Sequence, residues 1–229
     1  MKTLIALAGS FVVAGSASAA LTDMYFSEVD NGNPDYVTYR VLASFDNTTD
    51  KIQAFAGLAG QPLYWQTDVA SGIYNDDGDF GTGHIQDIPF GNGTNLDIDT
   101  WMTLGQVGGF DFSGVAFSPD FLGIPGGEDL QVLTDGLTSF SDEDSAVFIP
   151  GAAKVVTTWG DNEVPIEVAL AQFTVASSAA SQVYMEFGAV IQWQDESGNN
   201  IQDYYTAVVP APGALALLGL AGLIGRRRR

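Results

Sequence analysis

The fold class follows from one stretch, VYMEFGAVIQW, which occupies residues 183–193. Apolar side chains stand at every second position of this stretch, and a period of two is typical of a strand with one face in a core. The polar run DESGNN at residues 195–200 has the composition of a turn, and the β-forming run IQDYYTAV at residues 201–208 predicts an antiparallel partner. The predicted core face consists of Val183, Met185, Phe187, Ala189, Ile191 and Trp193.

The same pattern of short strands and turns occurs elsewhere in the chain. Residues 37–45 alternate between an apolar and a polar face and predict a half-buried strand. A turn is expected at residues 46–50, after which residues 51–56 begin a return strand. Residues 96–104 and 166–175 are also rich in strand-forming side chains.

No long segment has the 3.6-residue period of a helix, although one short helix is expected near residues 130–137. The 27 glycines interrupt the chain every few residues. We therefore predict an all-β fold, with a single β-sandwich or jelly-roll domain over residues 21–207. Residues 72–93 and 110–129 are expected to be long loops, where function tends to lie.

The composition excludes several kinds of chemistry. The chain has no cysteine, which rules out disulfides, thiol nucleophiles and zinc–thiolate sites. Its one histidine, His84, leaves almost no material for a His-based triad or a multi-His metal site. A surface position is the more ordinary interpretation of His84.

The charge is unevenly distributed along the chain. All 28 Asp and Glu residues lie in the body, where only Arg40, Lys51 and Lys154 are basic, so the body carries a net charge of −25. Such a field repels nucleic acid, and we expect no nucleic-acid partner. It is compatible with bound cations such as calcium, and equally with an acidic surface that only keeps the protein soluble.

The first 20 residues have the three parts of a secretory signal peptide. Lys2 supplies the positive start, residues 4–13 form a short apolar run, and small residues follow. The apolar run is too short for a stable membrane span. Cleavage by signal peptidase is predicted at the small residues Ala17, Ala19 and Ala20.

The last 22 residues, 208–229, form a second targeting segment. Residues 208–225 carry no polar side chain and are followed by four arginines, a pattern that favours a membrane segment with the arginines in the cytoplasm. Pro210 and Pro212 restrict the helix to the residues after them. The resulting transmembrane helix is short for a bilayer core of about 30 Å, which suits a transient anchor. A plain C-terminal tail anchor is the alternative interpretation.

This tail resembles the PEP-CTERM sorting signal in its Pro-x-Pro start, its small-residue-rich apolar helix and its terminal arginines. Family members usually have Glu between the two prolines, where this chain has Ala211. The resemblance covers about a tenth of the chain and implies that an exosortase-like membrane protease cuts near the prolines. The residues that carry it are Val209, Pro210, Ala211, Pro212, Gly213, Arg226, Arg227, Arg228 and Arg229.

The resemblance also implies a location and a partner. Proteins with this tail are released or attached at the surface of bacteria, often of bacteria that make extracellular polysaccharide. Two strings of the body, residues 37–41 and 99–105, also resemble uncharacterised secreted proteins with such tails, and this implies no activity. We therefore expect an exported protein of the cell surface or extracellular matrix.

One loop could hold a metal ion. The string NDDGD at residues 75–79 offers alternating oxygen ligands, which suit calcium. It does not follow the EF-hand pattern, and an acidic turn without an ion is the more ordinary interpretation. The candidate ligands are Asn75, Asp77 and Asp79.

Three functions remain open at this point. The first is a non-catalytic structural or adhesive component of the cell surface or exopolysaccharide, and the second is a calcium- or carbohydrate-binding module. The third is a secreted glycan hydrolase that uses two carboxylates, although no pair can be selected from the sequence. Tryptophans can stack on sugars: Trp193 is expected in the core, Trp101 on an outer face with access to solvent, and Trp65 is ambiguous. Packing inside the protein is the more ordinary expectation for each.

Overall fold

The computed structural model describes residues 21–46, 49–75, 98–105, 116–118, 135–149, 166–178 and 183–209. In these ranges the chain forms eleven β-strands and no α-helix. The predicted all-β class is therefore confirmed. The strands are β1 Leu21–Val29, β2 Tyr36–Phe45, β3 Lys51–Ala56, β4 Leu63–Thr67, β5 Trp101–Gly105, β6 Ala116–Phe117, β7 Ser139–Asp142, β8 Ala146–Phe148, β9 Ile166–Ala176, β10 Met185–Gln194 and β11 Asn200–Val209.

The larger sheet has seven antiparallel strands arranged around β10. Along one side β10 pairs with β11, and along the other it pairs first with β4 and then with β3. The sheet continues through β7 beyond β4, and through β8 and β6 beyond β3.

The predicted hairpin at residues 183–208 is confirmed as β10 and β11, which pair from Met185 with Val209 to Gln194 with Asn200. Asp195 holds its turn, because the carboxylate accepts backbone hydrogen bonds from Ser197 at 2.9 Å and Asn199 at 2.8 Å. Gly198 has φ +82°, a conformation that glycine adopts without strain. Local turn chemistry thus agrees with the alternation of the strands.

The smaller sheet has four antiparallel strands in the order β1-β2-β9-β5. β2 and β9 pair along their whole length, from Tyr36 with Ala176 to Phe45 with Ile166. The strand predicted at residues 166–175 is therefore confirmed as β9.

Both sheets contribute side chains to one hydrophobic core. The ring of Trp65 in the larger sheet stacks on Phe173 of the smaller one, with centroids 4.8 Å apart. Phe187 lies 6.0 Å from Phe173, and Trp193 meets Phe45 edge-on at 6.1 Å. The arrangement is therefore sandwich-like, with aromatic pairs joining the two layers.

The strand predicted at residues 37–45 is confirmed as β2, but the prediction that it is half-buried is wrong, because β2 is buried on both faces. Thr38 is fully buried and Arg40 is only 5 % exposed, although both lie on the face opposite the core. Both side chains are hydrogen-bonded within the protein, Thr38 to Asn31 and Arg40 to Gln172.

The strand predicted at residues 51–56 exists as β3, but it does not pair with β2. It pairs with β10 and β8 instead, so the chain passes from the smaller sheet to the larger one between β2 and β3. Ile52 and Phe55 thereby reach the shared core from its other side.

Several predicted segments lie wholly or partly outside the described residues. These are the signal peptide, the C-terminal segment after Val209, and most of the two long loops. Of the expected short helix, residues 135–137 are described, and they contain a turn. No helix in the described ranges is long and apolar enough to cross a membrane.

Candidate functional site

The outer faces of the two sheets, which point away from the shared core, differ in their exposure to solvent. On the smaller sheet, Trp101 is only 1 % exposed and packs with Leu42, Ala169 and the half-buried Tyr25 in a second hydrophobic cluster. The guanidinium carbon of Arg40 lies 6.0 Å from the centroid of the Trp101 ring. We call this the covered face.

Buried polar groups complete the covered face by bonding to one another. The hydroxyl oxygens of Thr38 and Thr174 are 2.8 Å apart, and Arg40 Nε donates to Gln172 Oε1 at 2.8 Å. Gln172 Nε2 in turn donates to the backbone oxygen of Asp99 at 2.8 Å. These bonds offset the cost of removing polar groups from water.

The larger sheet presents polar and tyrosine side chains to solvent, and we call this the open face. Its outward residues that remain half-buried or exposed are Gln53, Tyr64, Gln66, Tyr184, Glu186, Gln192, Gln194, Gln202, Tyr204 and Thr206.

Five side chains form a cluster at one end of the open face. This tyrosine–glutamate patch consists of Tyr64, Gln66, Tyr184, Glu186 and Tyr204. They come from β4, from β10 with the residue just before it, and from β11. Pairing of Glu186 with Gln66 on one side and with Val208 on the other brings the three segments together.

Glu186 is the centre of the patch. Its Oε1 accepts a hydrogen bond from the Tyr64 hydroxyl. Its Oε2 accepts one from the Tyr184 hydroxyl at 2.8 Å and one from Gln66 Nε2 at 2.7 Å. The carboxylate is therefore held in place by three donors that belong to the sheet itself.

Gly188 allows two tyrosine rings to lie across the sheet. A Cβ atom at this position would be 2.0 Å from Cε1 of Tyr64 and 2.7 Å from the hydroxyl oxygen of Tyr204. The Tyr204 hydroxyl donates to the backbone oxygen of Pro62 at 3.2 Å. Glycine is thus required here by the close approach of the rings rather than by its backbone conformation.

The hydrogen bonds set the charge state of the patch. The bond from Tyr64 is the largest effect that lowers the pKa of Glu186, so this carboxylate stays ionised over the ordinary pH range. Burial raises the pKa of Tyr64, and the bond to Glu186 raises it further. The pKa of Tyr184 is raised mainly by its bond to Glu186. The patch is therefore a fixed anion framed by neutral phenols.

A row of amide side chains continues the open face beyond the patch. Gln192 Nε2 donates to Gln53 Oε1 at 2.9 Å, and Gln53 Nε2 donates to Asn200 Oδ1 at 3.1 Å. The row crosses from β3 to β10 to β11 and extends the polar part of the open face, which also carries the exposed Val208 beside Glu186.

The predicted calcium ligands are only partly described. Asn75 is buried, with 4 % exposure, next to Tyr74, whose backbone N–H donates to the backbone oxygen of Thr174 in β9. Asp77 and Asp79 lie outside the described residues, so the calcium loop stays a prediction. Across the ranges that the structure covers, no three His, Asp or Glu side chains are placed to hold a metal ion.

The tryptophan predictions have mixed outcomes. Trp193 is 2 % exposed and Trp65 is fully buried, so both belong to the core. Trp101 packs against Leu42, Ala169 and Tyr25, so the expectation of an exposed ring is wrong and the expectation of packing inside the protein is confirmed. None of these three indoles offers a sugar-stacking surface.

The predicted processing sites lie almost entirely outside the described residues. Ala17, Ala19 and Ala20 precede the described chain, and the sorting residues from Pro210 to Arg229 follow it. Val209 is described as the last residue of β11, so the body ends in a paired strand immediately before the tail.

One buried carboxylate stands apart from the patch. Asp50, between β2 and β3, has no exposed surface, and neither carboxylate oxygen has a hydrogen-bond partner. Burial raises its pKa to about 6, and the charges of Asp46, Asp195 and Glu196 add to the increase. Acidic side chains are therefore concentrated around Asp50 at this end of the molecule, and burial and their charges disfavour its ionised form.

The patch was missed by sequence reasoning because its tyrosines are far apart along the chain. One signal was available: Gly188 occupies an outward position of β10, two residues after Glu186. A glycine in that place indicates close approach by another group.

Comparison with models of protein families, with curated proteins and with solved structures finds no match for this chain.

Proposed function

We propose that this chain is an exported, non-catalytic protein of the bacterial cell surface or extracellular matrix, and that it binds extracellular polysaccharide through its open face. The body is a single sandwich of jelly-roll type, preceded by a signal peptide and followed by a short membrane helix that an exosortase-like protease removes. The two terminal segments support the location, and the tyrosine–glutamate patch supports the binding.

The observation that carries the binding proposal is the patch on a solvated sheet. Sugar rings present apolar C–H faces and a rim of hydroxyl groups, so they are held by aromatic side chains beside fixed hydrogen-bonding groups. Tyr64 and Tyr204 supply the rings, and Glu186 supplies a carboxylate whose position three donors determine. The amide row extends the polar surface for further sugar units.

The electrostatics of Glu186 favour binding over hydrolysis. A glycosidase acid needs a raised pKa in order to protonate the leaving group. Hydrogen bonding lowers the pKa of Glu186, which makes it a poor proton donor. A broad glycan panel tests the hydrolase alternative: cleavage that is lost on a single Asp→Asn or Glu→Gln change would establish it in place of our proposal.

The binding test is a glycan array and a pull-down with the exopolysaccharide of the producing bacterium. Tyr184→Ala removes a ring and one of the three Glu186 donors, so we expect binding to weaken about tenfold, or about 1.4 kcal/mol. The matched control is Glu28→Ala, an exposed position on β1 of the other sheet, which should bind like the wild type. Equal binding by both variants, or no binding by the wild type, would refute the proposal.

The location is tested by the intact mass of protein recovered from native cells and medium. We expect a species that lacks the first 19 or 20 residues and everything after about Val209. A mass that retains Arg226 to Arg229 would exclude sorting and leave a simple membrane-anchored protein.

The calcium-binding alternative is tested separately. Asn75, Asp77 and Asp79 predict binding by calorimetric titration and a loss of thermal stability on adding EDTA. Absence of both effects would remove it without affecting the polysaccharide proposal.

A further inference from the structure

The patch offers hydrogen-bond acceptors far more than donors. The hydroxyl hydrogens of Tyr64 and Tyr184 are both committed to Glu186, so their oxygens have only lone pairs left for a ligand. The Tyr204 hydroxyl is committed to Pro62. Glu186 Oε1 accepts one bond only, so it retains a lone pair. The Gln66 amide donates to Glu186 and also hydrogen-bonds the Tyr184 hydroxyl, so its donors are directed at the patch itself.

Among the residues that the structure describes, no basic side chain lies beside the negative charge of Glu186. Arg40 and Lys51 are the basic residues within the described ranges, and neither forms an ion pair with Glu186. Arg40 is buried under the covered face, and Lys51 pairs with Gln194 at the opposite end of β10. The body as a whole carries a large excess of negative charge, which disfavours an acidic ligand.

Aromatic rings beside a carboxylate without a cationic partner favour one kind of ligand group, a cation that donates hydrogen bonds. An ammonium group has three N–H donors and no acceptor, and it is attracted both to a carboxylate and to the faces of tyrosine rings. A neutral sugar hydroxyl would use the same lone pairs without gaining from the charge.

We propose that the tyrosine–glutamate patch binds an ammonium group, and that its ligand is an amino sugar with a free amine within a polysaccharide chain. This inference rests on the proposed polysaccharide binding and makes it more specific. The amine lies against Glu186 Oε1 and the oxygens of Tyr64 and Tyr184, while the amide row contacts neighbouring units.

The test compares two short oligosaccharides that differ only in the amine. The full-length protein, in mild detergent at pH 6, is titrated by calorimetry with a glucosamine tetrasaccharide and with its fully N-acetylated counterpart. We expect the free amine to bind about tenfold more tightly. The difference should shrink as NaCl rises from about 0.05 to about 0.5 M.

Two variants separate the patch from the general charge of the protein. Glu186→Gln removes the carboxylate at nearly constant shape and should abolish the preference for the amine. Glu28→Gln makes the same charge change at an exposed position of β1 in the other sheet, and it should leave the preference intact. If both variants lose it equally, the attraction belongs to the whole charged surface and the inference is wrong.

The remaining outcomes distinguish this inference from the proposed function. If the N-acetylated sugar binds as well as the free amine or better, and Tyr184→Ala still weakens it, polysaccharide binding stands and the ammonium inference fails. If neither oligosaccharide nor any polysaccharide on the array binds, both fail.

Discussion

The outer faces of the two sheets differ in whether their polar side chains are buried or exposed to solvent. On the covered face, Thr38, Arg40 and Gln172 are buried. Thr38 bonds to Thr174, Arg40 donates to Gln172, and Gln172 donates to the backbone oxygen of Asp99. On the open face, Glu186 and its three donors stay in contact with solvent, and the carboxylate lacks a cationic partner among the described residues. Polar groups used for stability are saturated within the protein, whereas those available for a ligand keep unused acceptors.

The largest expected change in stability comes from a substitution in the covered face. Trp101→Ala removes a side chain that is 1 % exposed from the second hydrophobic cluster, and we expect the free energy of unfolding to fall by about 3–5 kcal/mol. Urea unfolding followed by far-UV circular dichroism measures the change. The equivalent truncation on the open face, Tyr204→Ala, should cost clearly less because that ring is half-buried. Equal losses would mean that the two faces contribute alike.

The next largest effect is expected from a substitution that adds a methyl group to the open face and removes no side chain of the patch. Gly188→Ala puts a Cβ atom 2.0 Å from the Tyr64 ring, so the ring must move away from Glu186. We expect a loss of about 1–3 kcal/mol in unfolding free energy together with weaker glycan binding. The double variant Gly188→Ala with Tyr64→Ser makes room for the added Cβ atom by removing the ring. If its unfolding free energy recovers but its glycan binding does not, the Tyr64 ring itself contacts the glycan.

A third effect concerns Asp50, which is buried like the groups of the covered face but has no hydrogen-bond partner. Its pKa of about 6 is above its unfolded value, so ionisation destabilises the fold above pH 6, and stability rises as the pH falls from about 6 towards 4. Asp50→Asn removes this penalty and should raise the unfolding free energy by about 1–2 kcal/mol at pH 8, with little gain at pH 4. Thermal unfolding at both pH values checks it. The same gain at both would show that ionisation is not the cause.

The smallest expected effect is the contribution of Glu186 to stability. Its folded pKa is lowered, so its stabilisation is present above the unfolded pKa and is lost as the pH falls through the folded pKa. Because the patch is open to solvent, Glu186→Gln should change the unfolding free energy by less than about 1 kcal/mol at pH 7. A larger loss would mean that the patch serves stability rather than binding.

The strands were predictable where one face is apolar and the other polar. Residues 183–208 and β9 follow that rule, because the core requires a side chain at every second position. The rule failed on β2, since Thr38 and Arg40 look solvent-facing in sequence but are buried, where they bond to Thr174 and Gln172 of β9. Periodicity does not detect partners that are more than a hundred residues away.

The candidate site was less predictable than the fold for a related reason. Tryptophans are the obvious candidates for sugar stacking, yet Trp65 and Trp193 fill the core. Tyr64, Tyr184 and Tyr204 form a patch only because the register of β10 with β4 and β11 brings them together. Register is a property of the folded sheet, so composition and spacing do not reveal it.

The pairing of Glu186 with Val208 has a mechanical consequence. The patch lies at the open end of the β10–β11 hairpin, and the chain leaves that strand at Val209, one residue further on. If a polymer pulls on the patch while the tail is attached to the cell, the tension crosses between neighbouring strands and bypasses the rest of the sandwich. A pull along the strands would load the ladder of ten residue pairs in shear, whereas a pull across them would peel the pairs one at a time from Met185. The direction of the force would then decide how long the attachment lasts.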